Sequence, residues 1–185
     1  MTRPHRIPVP LIALLILQYL HAITVLIVTF TIGLTGDATG VLFYIYCGLF
    51  VFVYIPNSIY AFLRARRGER SSVLLFWNML IKLLFVPIYI GVFLLSILVG
   101  AAGPFALAFW AVFLIYDYMM LLTTSMYGLA GIRRARREGI ITRKAAVVHS
   151  ILHFFFCADV ISSVLIYLKV KTAQFSRQAS PDAAL

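Results

Sequence analysis

The sequence is dominated by apolar runs that are each long enough to cross a lipid bilayer. A transmembrane helix needs about 20 consecutive apolar residues, because the hydrocarbon core is about 30 Å thick and a helix rises about 1.5 Å per residue. We therefore predict an all-α fold, a polytopic transmembrane helix bundle with five membrane helices. Their predicted ranges are 11–34, 41–63, 73–99, 105–132 and 145–168.

The composition excludes an ordinary water-soluble fold. Apolar residues make up 63% of the chain and charged residues 12%, against about 45–50% and about 25% in an average soluble domain. The first run is too long for the apolar region of a cleaved signal peptide. We predict a single transmembrane domain over residues 1–170 and a disordered polar tail over residues 171–185.

The positive charges are distributed as in membrane proteins. The formal net charge is +10, and the arginines collect in two short segments, 64–70 and 133–144, beside apolar runs. Short loops of this kind stay in the cytoplasm and attract anionic lipid headgroups. We predict these headgroups as partners, no nucleic acid, an N-terminus inside and a C-terminus outside. The alternative, favoured by Lys169, Lys171 and Arg177, is a fifth segment that re-enters and leaves the tail inside.

Two helical hairpins resemble each other in sequence. Segment 58–67 and segment 125–137 each carry an S-x-Y triplet followed by an R-A-R-R cluster. A constant shift of 71 positions pairs residues of the two following helices: Asn78 with His149, Lys82 with His153, and Phe85 with Phe156. The pattern favours a parallel repeat of a two-helix hairpin, related by an axis along the membrane normal. The alternative is that any two membrane hairpins share a basic inner loop.

Ionisable side chains within the apolar runs form a candidate polar layer. Such groups are costly in a bilayer, so they usually face the bundle interior or a cavity. One interpretation is a proton or ion relay or a small-ligand site. The other is a set of interhelical hydrogen bonds and one ion pair that fix the bundle. The residues of this layer are His21, Lys82, Asp117, His153 and Asp159.

We expect the ion pair to join Lys82 to Asp117. Their helices, the third and fourth, are connected by a short turn and are therefore antiparallel neighbours. The estimated depths of the two residues differ by about 6 Å, which a long lysine side chain can largely span. Asp159 is the rival partner, but it lies farther toward the outside and on a helix that is not joined directly to helix three.

The chain has few signs of catalytic or metal chemistry. His149, His153 and Cys157 would form one stripe of a continuous helix, and such side chains can bind zinc or copper. Their repeat partners Asn78 and Lys82 are poor metal ligands, so a structural or proton-handling role is preferred. The sequence contains no HExxH, no G-x-S-x-G and no glycine-rich phosphate loop. We assign no catalytic residue, no metal site and no cofactor.

Two segments carry a family resemblance. They are NMLIKLLFVPIYI (78–90) and HSILHFFFCADVISS (149–163). They resemble segments of small bacterial multi-pass membrane proteins that form a functionally uncharacterised family. The resemblance covers helices three to five and implies a bacterial cytoplasmic membrane, but it transfers no activity and no site.

Three functions are compatible with these features. The first is a non-enzymatic accessory, assembly or regulatory subunit of a membrane complex, with a membrane protein partner or a homo-oligomeric assembly. The second is a small transporter or channel that uses the polar layer, as parallel-repeat transporters do. The third is a lipid-acting enzyme in which Asp117, His153 and Asp159 serve as acid and base. Because no nucleophile is singled out, the enzyme ranks last.

Overall fold

The structure is a computed structural model, and it describes residues 8–31, 36–101, 103, 106–155 and 157–179. All regular structure in these residues is helical, which confirms the all-α prediction. A π-helical stretch, Phe50–Tyr54, joins α2 to α3 into one helical segment. The α-helices are α1 (Val9–Thr31), α2 (Gly36–Leu49), α3 (Ile55–Arg66), α4 (Ser71–Gly100), α5 (Ala106–Arg137), α6 (Arg143–Leu152) and α7 (Ala158–Ala179).

Four helical segments of the described chain are long and apolar enough to cross a membrane. They are Val9–Thr31, Gly40–Arg66, Ser71–Leu98 and Trp110–Arg137. They correspond to the first four predicted runs, although residues 32–34 and 105 of those predictions lie outside the described residues. Large apolar side chains are exposed along these helices, as expected for surfaces that face lipid. A fifth span of this kind is not found in the described residues.

Pro56 accounts for the π-helical stretch between α2 and α3. A proline in a helix has no N–H to donate, and its ring collides with the carbonyl four residues earlier, here Phe52. The hydrogen-bond register therefore shifts, and the Ile55 N–H bonds to the Phe50 carbonyl, five residues back. This stretch turns Tyr54 into the bundle, where its side chain is buried.

The fifth apolar run is a helical hairpin and not a single helix. α6 ends at Leu152, and α7 begins at Ala158 after a turn in which Cys157 has a φ of 63°. His149 Nδ1 lies 2.8 Å from Ser162 Oγ, whereas 13 residues of continuous helix would separate them by about 20 Å. The predicted helix over 145–168 is therefore wrong, because the chain reverses direction in its middle.

The far end of α7 returns to the arginine-rich segments. The Arg177 guanidinium donates to the carbonyls of Glu138 and Gly139, both at 3.0 Å. The Gln174 amide donates to Ser71 Oγ at 3.1 Å. We call this end of the bundle, defined by loops 67–70 and 138–142, the arginine side. The described part of the tail, residues 171–179, lies at this end and not at the opposite one as predicted, and it is helical rather than disordered.

The reversal also limits the predicted repeat. α4 is a continuous helix of 30 residues, whereas α6 has 10 and then folds back. Two complete hairpins therefore cannot be overlaid beyond the position that pairs Lys82 with His153. The third proposed pair, Phe85 with Phe156, involves a residue outside the described ones. The two-helix repeat remains a hypothesis for the shorter matching segments.

Close packing between α4 and α5 positions the site. These helices share the most extensive interface of the bundle, and α7 packs on another side of α4. A Cβ added at Gly131 would lie 2.8 Å from Leu75 side-chain atoms, so a glycine is needed for this approach. Small residues allow helices to come close in lipid, where van der Waals contact replaces the hydrophobic effect as the driving force.

Site-specific labelling tests the direction of the hairpin. In a chain carrying Cys47→Ala and Cys157→Gly, we expect Arg67→Cys and Ser176→Cys to react with a membrane-impermeant maleimide from one side of sealed vesicles. Ala101→Cys should react from the other side. All three positions are exposed. The side of the membrane on which a position lies, and not its burial, therefore determines whether it reacts. Labelling of position 176 together with position 101 would restore the five-span topology.

Candidate intramembrane polar site

The predicted polar layer is divided into separate places. Lys82, His153 and Asp159 meet between α4, α5 and α7, and we call these three residues the ion-pair cluster. His21 lies in an aromatic group formed with α2 and α5, and Asp117 joins neither set through an ion pair or hydrogen bond in the described chain. The single layer predicted from depth is therefore not one site.

Lys82 lies at the centre of the ion-pair cluster. Its ammonium contacts Asp159 Oδ2 and also approaches Ser125 Oγ at 3.1 Å and Thr124 Oγ1 at 3.4 Å. Lys82 is 0% exposed and Asp159 is 1% exposed. A lysine in lipid is tolerated when several acceptors replace its lost hydration, and here three oxygens do so.

His153 completes the cluster through the other carboxylate oxygen. Its Nδ1 lies 2.7 Å from Asp159 Oδ1. Ser125 Oγ also lies 2.8 Å from the His153 carbonyl, at the end of α6 where helical carbonyls lack intrahelical partners. Asp159 stands in the first turn of α7, where the helix dipole favours a negative charge. The cluster thus ties both half-helix ends of the hairpin to α4 and α5.

Two further hydrogen bonds extend the contact toward the arginine side. The Asn78 amide donates to Ser163 Oγ at 2.8 Å, and His149 Nδ1 lies 2.8 Å from Ser162 Oγ. Asn78, Ser125 and Ser163 were not among the predicted site residues. Asn78 and Lys82 are one helical turn apart on α4, as Asp159 and Ser163 are on α7, so matching i, i+4 polar pairs were the signal that could have found them.

Gly128 leaves room for two polar atoms beside the ion-pair cluster. A Cβ at Gly128 would lie 2.5 Å from His153 Nε2 and 2.8 Å from Asn78 Oδ1. Both atoms are buried and have no hydrogen-bond partner within the described part of the chain. The α5 backbone at Gly128 therefore packs directly against the His153 imidazole. Any side chain at position 128 would displace this ring.

The expected ion pair between Lys82 and Asp117 is wrong. The depth estimate assumed a continuous fifth helix, which placed Asp159 too far from Lys82. Because the chain breaks after Leu152, α7 starts near the depth of Lys82 and brings Asp159 to it. Asp117 has a buried Oδ1 without a hydrogen-bond partner and no ion pair among the described residues.

The metal hypothesis for His149, His153 and Cys157 loses its geometric basis. A stripe at i, i+4 and i+8 requires a continuous helix, but Cys157 lies in the turn and is exposed. The Nδ1 atoms of both histidines already face Ser162 and Asp159. Within the described residues, no group of three or more His, Cys, Asp or Glu side chains is arranged to hold a metal ion.

A second feature is an apolar cavity of about 260 Å³ between α1, α2, α4 and α5. Its polar wall is formed by His21, Tyr46 and Tyr116. The His21 ring stacks on both tyrosines, with centroid distances of 5.3 and 5.7 Å. Tyr46 donates to the Tyr116 carbonyl at 3.1 Å, and Gln18 contacts the Tyr116 hydroxyl at 2.5 Å. Sequence reasoning identified His21 but neither tyrosine, because aromatic residues are common throughout the apolar runs.

A comparison with known proteins identifies the family. The family model described as "Family of unknown function (DUF6652)" matches residues 9–172. The chain belongs to this family. The matched DUF6652 segment includes α1 through most of α7, and hence both the ion-pair cluster and the cavity. No curated protein matches the chain, and no solved structure matches it. The prediction of a functionally uncharacterised family is confirmed.

The ion pair of this DUF6652 chain can be tested by paired substitutions. Lys82→Met should lower the free energy of unfolding by about 3–5 kcal/mol, because it leaves a buried carboxylate without its counter-charge. Lys82→Met combined with Asp159→Leu should recover much of that loss. Lys82→Met with Asp117→Leu is the matched control and should recover none of it. Thermal unfolding in detergent measures all three, and rescue by Asp117→Leu would reinstate the originally expected pair.

Gly128 provides an independent test of the packing. Gly128→Ala should destabilise the chain by about 1–3 kcal/mol, because the new methyl group overlaps His153 and Asn78 in a filled interior. Gly48→Ala is the matched control, since a Cβ there meets nothing within 4 Å and alanine is the better helix former. Equal melting temperatures for the two variants would show that α5 does not press on the cluster.

Proposed function

We propose that this DUF6652 chain is a non-enzymatic integral membrane protein that acts as an accessory, assembly or regulatory subunit of a membrane complex. The observation that supports the proposal is the closed ion-pair cluster. Its charged groups pair with one another, and the cluster holds the ends of α6 and α7. A site built in this way serves as a scaffold for a hairpin.

The burial of the cluster favours a scaffold over a substrate site. Lys82 and His153 are both 0% exposed, and Asp159 is 1% exposed. A transported ion or a reacting lipid would need a path to these groups, and opening one would break the contacts that replace the hydration of the charges. The large apolar cavity is lined by other residues, so it gives no access to the cluster.

The arginine side supports the proposed placement in the membrane. Arg66, Arg133, Arg134 and Arg137 line a small cavity of about 80 Å³ between α3 and α5. Such a group of guanidinium ions suits anionic lipid headgroups, which are concentrated on the cytoplasmic leaflet. We infer that the arginine side faces the cytoplasm of a bacterial cell, so that α1 starts and α7 ends inside.

A small transporter is the second candidate, and one observation favours it. The hairpin breaks at the depth of Lys82, and interrupted helices with charged groups at the break are typical of ion-coupled transporters. His153 Nε2 and Asn78 Oδ1, which have no hydrogen-bond partner among the described residues, lie at this break. In that function the cluster would open and close, and a proton or a cation would replace Lys82 on the Asp159 carboxylate.

Two measurements separate the candidates. Full-length protein isolated from its native membrane in mild detergent should migrate as a stable complex with a different membrane protein, in fixed stoichiometry by mass spectrometry. The protein reconstituted alone in liposomes should carry no proton flux. A homo-oligomer whose flux is lost in Lys82→Met with Asp159→Leu, while its melting temperature is kept, would establish the transporter. A monomer with neither partner nor flux would contradict both.

A further inference from the structure

The apolar cavity opens sideways into the region where lipid chains would lie. Its rim includes the exposed residues Ile23 and Leu26 of α1 and Pro87 and Gly91 of α4. The lining on α4 extends over the nine residues from Pro87 to Leu95, which corresponds to about 12 Å along the helix. A molecule dissolved in the bilayer could therefore enter between α1 and α4 without crossing an aqueous phase.

His21 is the polar group that this cavity presents to a ligand. It lines the cavity, is 6% exposed, and stacks on Tyr46 and Tyr116. The other two described histidines of the membrane runs have hydrogen-bonded rings, whereas His21 makes no hydrogen bond within the described chain. A buried imidazole without a partner in an apolar site is expensive to maintain, and it gains most from a ligand that bonds to it.

We propose that this cavity binds a neutral isoprenoid quinone or a closely similar lipophilic quinone, with its ring against the His21, Tyr46 and Tyr116 rings and one carbonyl accepting a hydrogen bond from His21. The tail leaves the cavity between α1 and α4. This inference is independent of the proposed function, because it concerns a different site and a binding equilibrium.

The position of His21 selects this ligand class. His21 lies 13th in a helix of 23 residues, Val9–Thr31, and therefore near the middle of the span. A phospholipid headgroup stays at the interface, and a fatty-acid carboxylate at this depth would be a charged group without a cation beside it. A saturated acyl chain fills the space but leaves the imidazole unpaired. A quinone carries a neutral acceptor on a flat ring that can stack on aromatic side chains.

The size of the cavity agrees with a ring and the start of a tail. An apolar cavity of about 150 Å³ is enough to bind benzene, and this cavity has about 260 Å³. The remaining volume accommodates ring substituents and the first part of the chain. A complete isoprenoid tail does not fit inside, which agrees with the lateral opening.

Three variants test the proposal with a defined probe. Gly91→Leu adds a side chain at the rim, where a Cβ meets nothing within 4 Å, and should narrow the opening of the cavity. Gly48→Leu adds the same apolar bulk at another open helical glycine and is the matched control. His21→Phe keeps an aromatic ring and removes the hydrogen-bond donor.

The probe is a photoreactive benzoquinone with a ten-carbon chain, bound to the full-length protein in nanodiscs and mapped by peptide mass spectrometry. We expect saturable labelling of segments 19–26 and 87–95, displaced by unlabelled decyl-benzoquinone but not by dodecane. Gly91→Leu should weaken binding more than tenfold and His21→Phe about fivefold, while Gly48→Leu leaves it unchanged.

The results also define failure. Equal displacement by dodecane would mean that the cavity holds acyl chains without recognising a quinone. Labelling that is unaffected by both Gly91→Leu and His21→Phe would place the quinone elsewhere. If Gly91→Leu does not give folded protein, His21→Phe and the competition by dodecane still decide. None of these outcomes bears on the partner and flux measurements, so the two proposals can fail separately.

Discussion

The contact between Lys82 and Asp159 is the interaction on which the arginine-side half of the bundle depends. Neither group could remain charged alone in hydrocarbon, so each requires the other or an equivalent set of acceptors. Meeting this requirement brings the start of α7 against α4 and fixes the hairpin at a defined depth. Ser125 and His153 then complete the hydrogen bonds that the interrupted helix leaves open. At the start of the turn His153 is fully buried and its carbonyl accepts from Ser125 Oγ, so this part of the interrupted backbone bonds inside the bundle.

The other half of the bundle is organised around aromatic rings. The π-helical stretch before Pro56 turns Tyr54 inward, where its ring packs against Tyr46 at a centroid distance of 5.8 Å. Tyr46, Tyr116 and His21 then form the wall of the apolar cavity. The two halves differ in chemistry as well as in place. The arginine-side half pairs its buried charges with one another, whereas in the other half the His21 ring faces an apolar cavity. This division explains why a single polar layer is a poor description of the site.

Several features were accessible from the sequence because they depend on local properties. Helix formation and the first four spans follow from run length and hydropathy, since every backbone group in lipid must bond within its own segment. The polar residues were recognisable for the same reason, as each stands out against an apolar background. The hairpin was not accessible in this way. Residues 145–168 have the composition of a continuous helix, and Lys169, Lys171 and Arg177 were the only local sign that the chain returns to the arginine side.

The sequence by itself determined that this chain is helical, where four of the five predicted spans lie, and which ionisable groups are costly in a membrane. These are one-dimensional properties of composition and spacing. The tertiary structure alone decided which charges meet, because pairing depends on where a helix ends and on which neighbour lies across from it. Asp117 and Asp159 are chemically the same group, and the depths expected from sequence favoured Asp117. The reversal after Leu152 and the approach of α4, α5 and α7 bring Lys82 to Asp159. The packing of α1, α2, α4 and α5 leaves His21 facing a cavity.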